Sequence, residues 1–363
     1  MSESYKRVDA AITAFARGEI VVVTDDDDRE NEGDLFVAAS ACTPEKMAFI
    51  IRHTSGIVCA PVSAEFARRL HLDPMVAHND APLGTAFTVS VDVRHGLTTG
   101  ISAEERCNTV RAMANHNSGP NDFVRPGHVF PLVARQGGVL MRSGHTEACI
   151  DMCRLAGLEP VGVLAELMNN DGTVMRGTQV AAFAAEHGLS QLSIADLIAY
   201  RQSRDKLVER VGEFTLSSEI GPLNGYAYVT PFDQVHHMAF VYGRVGDGEK
   251  VLARLHRADV IGDVFGGART IRAALARFKA DGRGVIVYLR DGTAGVPVAE
   301  IPQTGATGTE LARTQQWREI GLGAQILKDL GISSIRLLTT SRRTYVGLGG
   351  FGIEITSYES LDS

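Results

Sequence analysis

Cysteine is scarce in this 363-residue chain and confined to its first half, where Cys42, Cys59, Cys107, Cys149 and Cys153 make up the whole set. An odd number without disulfide-scaffold or zinc spacing excludes a stapled secreted domain and suits a reducing compartment. Long apolar runs are also missing. No stretch approaches the roughly 20 residues that a membrane-spanning helix needs, and the opening residues Met1 to Arg7 lack the apolar core of a signal peptide. The expectation is a cytoplasmic protein without a membrane partner. Positive charge is not in excess either. A net charge of -7, with no basic stripe carrying interleaved aromatics, offers no footprint for nucleic acid. Small molecules are the expected partners.

What is present is the composition of a folded protein, 44% hydrophobic and 22% charged. At this length one core stops growing, so two domains are expected. The charged stretch Arg201 to Lys206 has no strong apolar period and reads as the linker, giving domains at 1–202 and 203–363. No internal repeat is visible. The fold class is α+β, with mixed helices and strands in both domains.

In the first domain, Val8 to Ala16 has the spacing of an amphipathic helix stopped by Gly18. Thr43-Pro44 is a cap and first-turn proline opening a helix to about His53, and Ser102 to Glu105 is a capping box for a helix to about Asn115. Further helices are expected from Thr146 to Gly157 and from Ser193 to Tyr200. Strands are expected at 19–23, 35–39, 57–60, 139–141 and 161–165, and the alternation of Thr88 to Val93 predicts a half-exposed one. The second domain carries strand patterns at 227–229, 238–242, 251–255, 285–289 and 335–338. Helical patterns run from Thr270 to Lys279 and from Arg313 to Asp329, and Gly292 to Gly308 reads as an irregular loop.

The densest chemistry lies between the first two strands. From Thr24 to Asp34, seven carboxylates surround the single Arg29. Like charges so close raise one another's pKa values unless a cation neutralises them. Acidic runs are commonly solvated faces. This one joins two core strands, and carboxylate oxygens are natural ligands for a hard divalent cation.

A second constellation is Arg142-Ser143-Gly144-His145-Thr146, at a predicted strand-to-helix junction. Backbone N–H groups and the positive helix end converge there, while Arg142 adds a planar fork and Thr146 a hydroxyl, the elements of a phosphate site. His145 could supply an imidazole to the metal of the acidic loop, or equally serve as a partner for a backbone carbonyl. His128 stands between Pro126 and Pro131, in an expected loop before a strand. Glu166 falls at a strand end, where a carboxylate can enter a site. Cys149 and Cys153, four residues apart on one helix, read as a packing pair.

The segments Asp26 to Asp34, Thr99 to Ala103, Arg125 to Leu132 and Gly144 to Ala148 together resemble 3,4-dihydroxy-2-butanone-4-phosphate synthase of riboflavin biosynthesis, across roughly residues 5–202. The resemblance implies conversion of ribulose 5-phosphate to a four-carbon ketose phosphate and formate, with Mg²⁺ or Mn²⁺, by a homodimer with sites at the subunit interface. It implies that Glu30 and His145 ligate metal, that Arg29 and Asp34 contact the sugar, and that Arg142, Ser143, Gly144, His145 and Thr146 hold the phosphate. His128 and Glu166 are then required for catalysis, with Asp34 the third candidate for proton transfer. Cys59 lies where the family places a site cysteine, and a buried packing thiol is the other reading.

Two later segments, His256 to Gly266 and Gly323 to Thr339, resemble GTP cyclohydrolase II. That enzyme's zinc is held by three cysteines, and this chain has none after Cys153. Asp259 stands where the first thiolate would be, Gln316 replaces an acidic residue although Arg318 remains, and Asp291 to Gly295 replaces a Gly-Arg-rich segment. A fold without zinc and without GTP hydrolysis is the expectation. A bifunctional enzyme with an atypical metal site and a ligand-binding or regulatory module, using Arg254, Arg257 and Arg269, are the alternatives.

Overall fold

The computed structural model describes residues 3–25, 30–81, 83–231, 233–290, 321–340 and 353–361. The chain divides into two compact units, Met1–Tyr200 and Arg201–Ser363.

The first unit is built on a seven-stranded mixed sheet. Its strands are β1 (Val21–Thr24), β2 (Gly33–Ala38), β3 (Cys59–Val62), β4 (Val91–Val93), β5 (Phe123–Val133), β6 (Gly162–Glu166) and β7 (Ser190–Ser193), in the order β4-β5-β3-β6-β2-β1-β7. The helices are α1 (Glu3–Ala16), α2 (Pro44–His53), α3 (Ala64–Arg69), α4 (Ala103–Ala114), α5 (His145–Leu155), α6 (Thr178–Glu186) and α7 (Ile194–Arg204).

Alternation along the strands gives the sheet two chemically different faces. One carries Val22, Leu35, Val37, Val58, Ala60, Val129, Val163 and Ala165. It packs on Met47 and Ile50 of α2, Val110 and Met113 of α4, and Val180 and Phe183 of α6 in one hydrophobic core. The other carries Asp34, Phe36, Cys59, Leu164 and Glu166, joined through the registers Asp34↔Glu166, Phe36↔Leu164, Cys59↔Leu164 and Cys59↔Phe130. Helix α5 lies across this second face, against β2, β3 and β6. Its close approach requires Gly162, since a Cβ there would stand 2.2 Å from the Cys149 sulfur. The Cys149–Cys153 stripe is the buried seam of that helix.

Thr43 and Ser102 cap α2 and α4 through their side-chain oxygens, Ser102 in a full capping box with Glu105. Residues 139–141 are not a strand. Gly137 and Gly138 both take left-handed φ, 93° and 63°, and start a single 3-10 turn, Gly138–Leu140. Val91 to Val93 is wholly buried rather than half exposed, because α4 covers it and the Thr109 hydroxyl accepts the Val93 N–H at 2.9 Å. The strand expected at 57–60 begins two residues later, leaving Ile57 53% exposed. His128 is not in a loop: β5 runs through both prolines, the Gly127 N–H being taken by the Ser90 hydroxyl. The stretch 201–206 stays helical to Arg204, and Arg201 pairs with Asp205 one turn on.

The second unit is a second seven-stranded sheet: β8 (Glu209–Ser218), β9 (Gly221–Thr230), β10 (Asp233–Tyr242), β11 (Val251–Arg257), β12 (Gly284–Leu289), β13 (Ser334–Thr339) and β14 (Glu354–Ser360). The order is β14-β13-β11-β12-β10-β9-β8, antiparallel from β8 through β12 and parallel beyond. Helix α8 (Arg269–Asp281) buries Ala274, Leu275 and Phe278 against Leu252 and Ile286. Residues 321–329 are helical, whereas 313–320 and the expected loop 292–308 lie outside the described residues.

Candidate active site

The acidic segment joins two buried strands, β1 and β2, as its flanks require. Asp25, 7% exposed at the end of β1, accepts the backbone N–H groups of Glu30 at 3.1 Å and Glu32 at 2.9 Å. Those two bonds tie residues 30 and 32 to the end of β1. Arg29, together with Asp26, Asp27 and Asp28, lies outside the described residues.

His145, the first residue of α5, meets this loop from across the sheet. Its Nδ1 is 3.7 Å from Glu30 Oε2 and its Nε2 is 3.9 Å from Asp34 Oδ1. Asp25, Glu30 and His145 each offer a ligand atom, all within 4.8 Å of one another. Two carboxylates and one imidazole form a hard oxygen-nitrogen set of the kind Mg²⁺ and Mn²⁺ accept. Asp34 Oδ1 is buried without a hydrogen-bond partner, as befits a group whose neighbour is a ligand. These residues fit a divalent metal. Sequence reasoning quoted Asp25 in the acidic run without giving it a role; its place at the strand end was the available signal.

The carboxyls nearby are held above their usual range. Burial pushes Asp34 up to about 7, assisted by Glu166, Glu30 and Glu32 and opposed by His145. Burial also raises Glu166, with a further push from Glu30 and a counter-pull from His145. Glu32 rises through burial and its neighbours Glu30 and Glu166, despite the ion pair with Arg176. Cys59, 8% exposed, is pushed up to about 12 by burial and by Asp34 and Glu166, which disfavours its thiolate.

His128 belongs to the same region through strand register. It lies two residues before Phe130, as Glu166 lies two residues beyond Leu164, and both pair with Cys59. The face that carries Asp34 and Glu166 therefore carries His128 as well. Its Nδ1 is 2.7 Å from Asp92 Oδ2, and its side chain is 40% exposed. Asp92 was not singled out from sequence; a carboxylate between two valines was the clue.

At the start of α5, Gly144 occupies the cap position without a side-chain capping bond. Arg142 Nη1 is held by the buried Glu147 at 2.7 Å, and its Nη2 reaches the Leu83 carbonyl at 3.2 Å and the Thr85 hydroxyl at 3.4 Å. A Cβ on Gly144 would stand 2.4 Å from Arg142 Nη1, so glycine leaves the guanidinium its place. Ser143 and Thr146 flank this junction.

In the second unit, His256 Nε2 lies 2.9 Å from Asp263 Oδ1, and Asp263 Oδ2 also accepts the Tyr288 hydroxyl at 2.7 Å. Asp259 accepts the Gly262 N–H at 3.0 Å and gives its own N–H to Asp263, closing the turn with hydrogen bonds. Among the described residues, the His, Cys, Asp and Glu groups close enough to share a metal are Asp25, Glu30 and His145 alone. Gln316, Arg318 and 291–295 lie outside the described residues. No helix among the described residues is long and apolar enough to cross a membrane.

Asp25, Glu30 and His145 thus form a candidate divalent-metal centre at the start of α5. Residues 9–200 match the family model of 3,4-dihydroxy-2-butanone 4-phosphate synthase, and residues 209–360 match that of GTP cyclohydrolase II. The chain is 45% identical to the bifunctional riboflavin biosynthesis protein RIBA 1 of Arabidopsis thaliana, covering 97% of this chain and 68% of that one. It is 43% identical to the monofunctional protein RIBA 2 of the same plant, covering 98% and 77%. Among solved structures it is similar to RibBX, a two-domain 3,4-dihydroxy-2-butanone 4-phosphate synthase from A. baumannii, with TM-score 0.81 and 35% identity over 97% of this chain and 99% of that one. A synthase solved in complex with two magnesium ions matches 54% of this chain and 97% of its own, with TM-score 0.53 and 46% identity. The chain belongs to the riboflavin-biosynthesis family in which a 3,4-dihydroxy-2-butanone 4-phosphate synthase domain precedes a GTP cyclohydrolase II domain, and it carries the synthase activity.

Proposed function

We propose that the first domain converts D-ribulose 5-phosphate to L-3,4-dihydroxy-2-butanone 4-phosphate and formate with Mg²⁺ or Mn²⁺ held by Glu30 and His145, assisted by Asp25, in a cytoplasmic homodimer. The observation that carries this is the approach of Glu30 and Asp34 to His145, at 3.7 Å and 3.9 Å, from loop, strand and helix start. A bound divalent cation supplies Lewis acidity to the adjacent oxygens of a ketose. The chain's own residues do the rest. Arg142, Ser143, Gly144 and Thr146 bind the phosphate, and Arg29 and Asp34 orient the sugar. Asp34, buried beside Glu166 and His145, is placed to take and return a proton during enolisation and loss of water. Glu166 and His128 are the other two proton carriers, and Cys59 lines the site as a neutral thiol. Purified protein with Mg²⁺ and ribulose 5-phosphate releases formate; no formate would end this reading.

The second domain is proposed to be non-catalytic. Ring opening of GTP needs a metal-activated water, and the loop that would carry it contains no thiolate. Its Asp259 closes a backbone turn, and Asp263 is engaged by His256 and Tyr288. The A. baumannii neighbour described as a two-domain synthase supports this reading. The 45% identity to a bifunctional relative favours the second reading, an active cyclohydrolase with atypical ligands. Zinc analysis and GTP turnover decide between them: bound zinc with product formation supports the second, neither supports the first.

A further inference from the structure

We propose that Asp92 is a positioning residue of the synthase site, fixing the His128 ring with a proton on Nδ1 so that Nε2 is the nitrogen that exchanges protons with the substrate. The proposal rests on the reading of His128 as a proton carrier. Both oxygens of Asp92 are given to that one residue: Oδ1 accepts the His128 backbone N–H at 2.8 Å, and Oδ2 lies 2.7 Å from Nδ1. A carboxylate only accepts, so Nδ1 carries a proton and Nε2 is the nitrogen left for proton exchange.

The surroundings are arranged for this contact. Asp92 is 2% exposed between buried Val91 and Val93, where an ionised group is costly without dedicated partners. The β4–β5 register shifts between Val91 and Asp92, and Gly127 lets the two backbones close, since a Cβ there would stand 2.1 Å from the Val91 carbonyl carbon. Gly100, at φ 88°, covers the pair; a Cβ on it would lie 2.2 Å from Asp92 Oδ2 and 2.6 Å from His128 Nδ1. The buried guanidinium of Arg106, 5% exposed, faces the carboxylate electrostatically. Two anchored hydrogen bonds and one glycine thus leave the imidazole a single orientation, and one tautomer.

The test uses the full chain with Mg²⁺ and ribulose 5-phosphate. In Asp92→Asn the amide oxygen keeps the backbone bond while its NH₂ donates to Nδ1, so the ring proton moves to Nε2 and the base is lost. The expected result is a kcat fall of about 10²–10⁴-fold with KM within roughly threefold, the range that loss of a correctly oriented base produces. Nitrogen-15 NMR of the His128 ring should change from the Nδ1–H to the Nε2–H pattern. On a His128→Ala background the same substitution should cost under about twofold, since the two act as one unit. A kcat near wild type, an unchanged tautomer, an equal loss on the His128→Ala background, or a chain that no longer folds would each overturn the proposal. Normal turnover by His128→Ala alone would instead remove the reading of His128 as a proton carrier.

Discussion

Asp34 and Glu166 face one another across the antiparallel β2–β6 pair, and burial raises both carboxyls above their ordinary range. Each also feels the pull of His145, which opposes the rise.

Glu166→Gln keeps the shape of the side chain and removes a proton acceptor. Substrate should still bind, with KM within roughly threefold, while kcat falls by about 10²–10⁴-fold, the usual contribution of a general base. Steady-state kinetics on ribulose 5-phosphate separates the two constants. A loss confined to KM would make Glu166 a binding group.

His145→Ala should abolish turnover, because it removes the nitrogen ligand while Gly144 still starts α5. Without metal, its melting temperature should fall by no more than roughly 4 °C, the shift of about 1 kcal/mol in a unit this size. Wild type should gain about 2.7 kcal/mol at a hundredfold excess of Mg²⁺ over its Kd, and the variant should gain almost none. Calorimetric scans with and without Mg²⁺ read both quantities.

Asp34→Asn mimics the protonated acid. The folded pKa near 7 lies above the unfolded value of 3.8, so the native state holds the proton more tightly. That contribution to stability is fully present below 3.8 and is lost as pH rises through about 7. In metal-free urea unfolding, the variant's advantage over wild type should therefore grow across this window and level off above it. Its turnover should be lost. A difference independent of pH would show that Asp34 is not strained by burial.

Gly162→Ala puts a Cβ 2.2 Å from the Cys149 sulfur, under the helix that delivers His145. Overpacking of this kind costs about 1–3 kcal/mol, and lifting α5 should weaken Mg²⁺ binding as well. Adding Cys149→Ala should restore much of both, measured by thermal melts and metal titration. Failure of the double variant to recover would mean that the clash is relieved elsewhere.

Much of the first domain's site was legible in order along the chain. Local signals carry over directly: the caps at Thr43 and Ser102 start helices because they satisfy donors within a few residues. The acidic run stood out because its charge density is local too. Asp25 and Asp92 were overlooked for the opposite reason. Their partners are Glu30 with the distant His145, and His128 at 36 residues' separation, and neither pairing leaves a periodic trace. The turn at Gly138 misled because an apolar triplet looks extended until two left-handed glycines are known to precede it.

Residue chemistry alone determined which groups this protein can use: carboxylates and imidazoles in its first domain, and no thiolate in its second. Only the tertiary structure decided that Glu30 and Asp34 each stand within 4 Å of His145, more than 110 positions further along the chain. The physical reason is that antiparallel pairing of β2 with β6 and the seat of α5 on Gly162 are long-range packing outcomes. Burial beneath that helix is also what moves Asp34 to about 7, a property no isolated aspartate has.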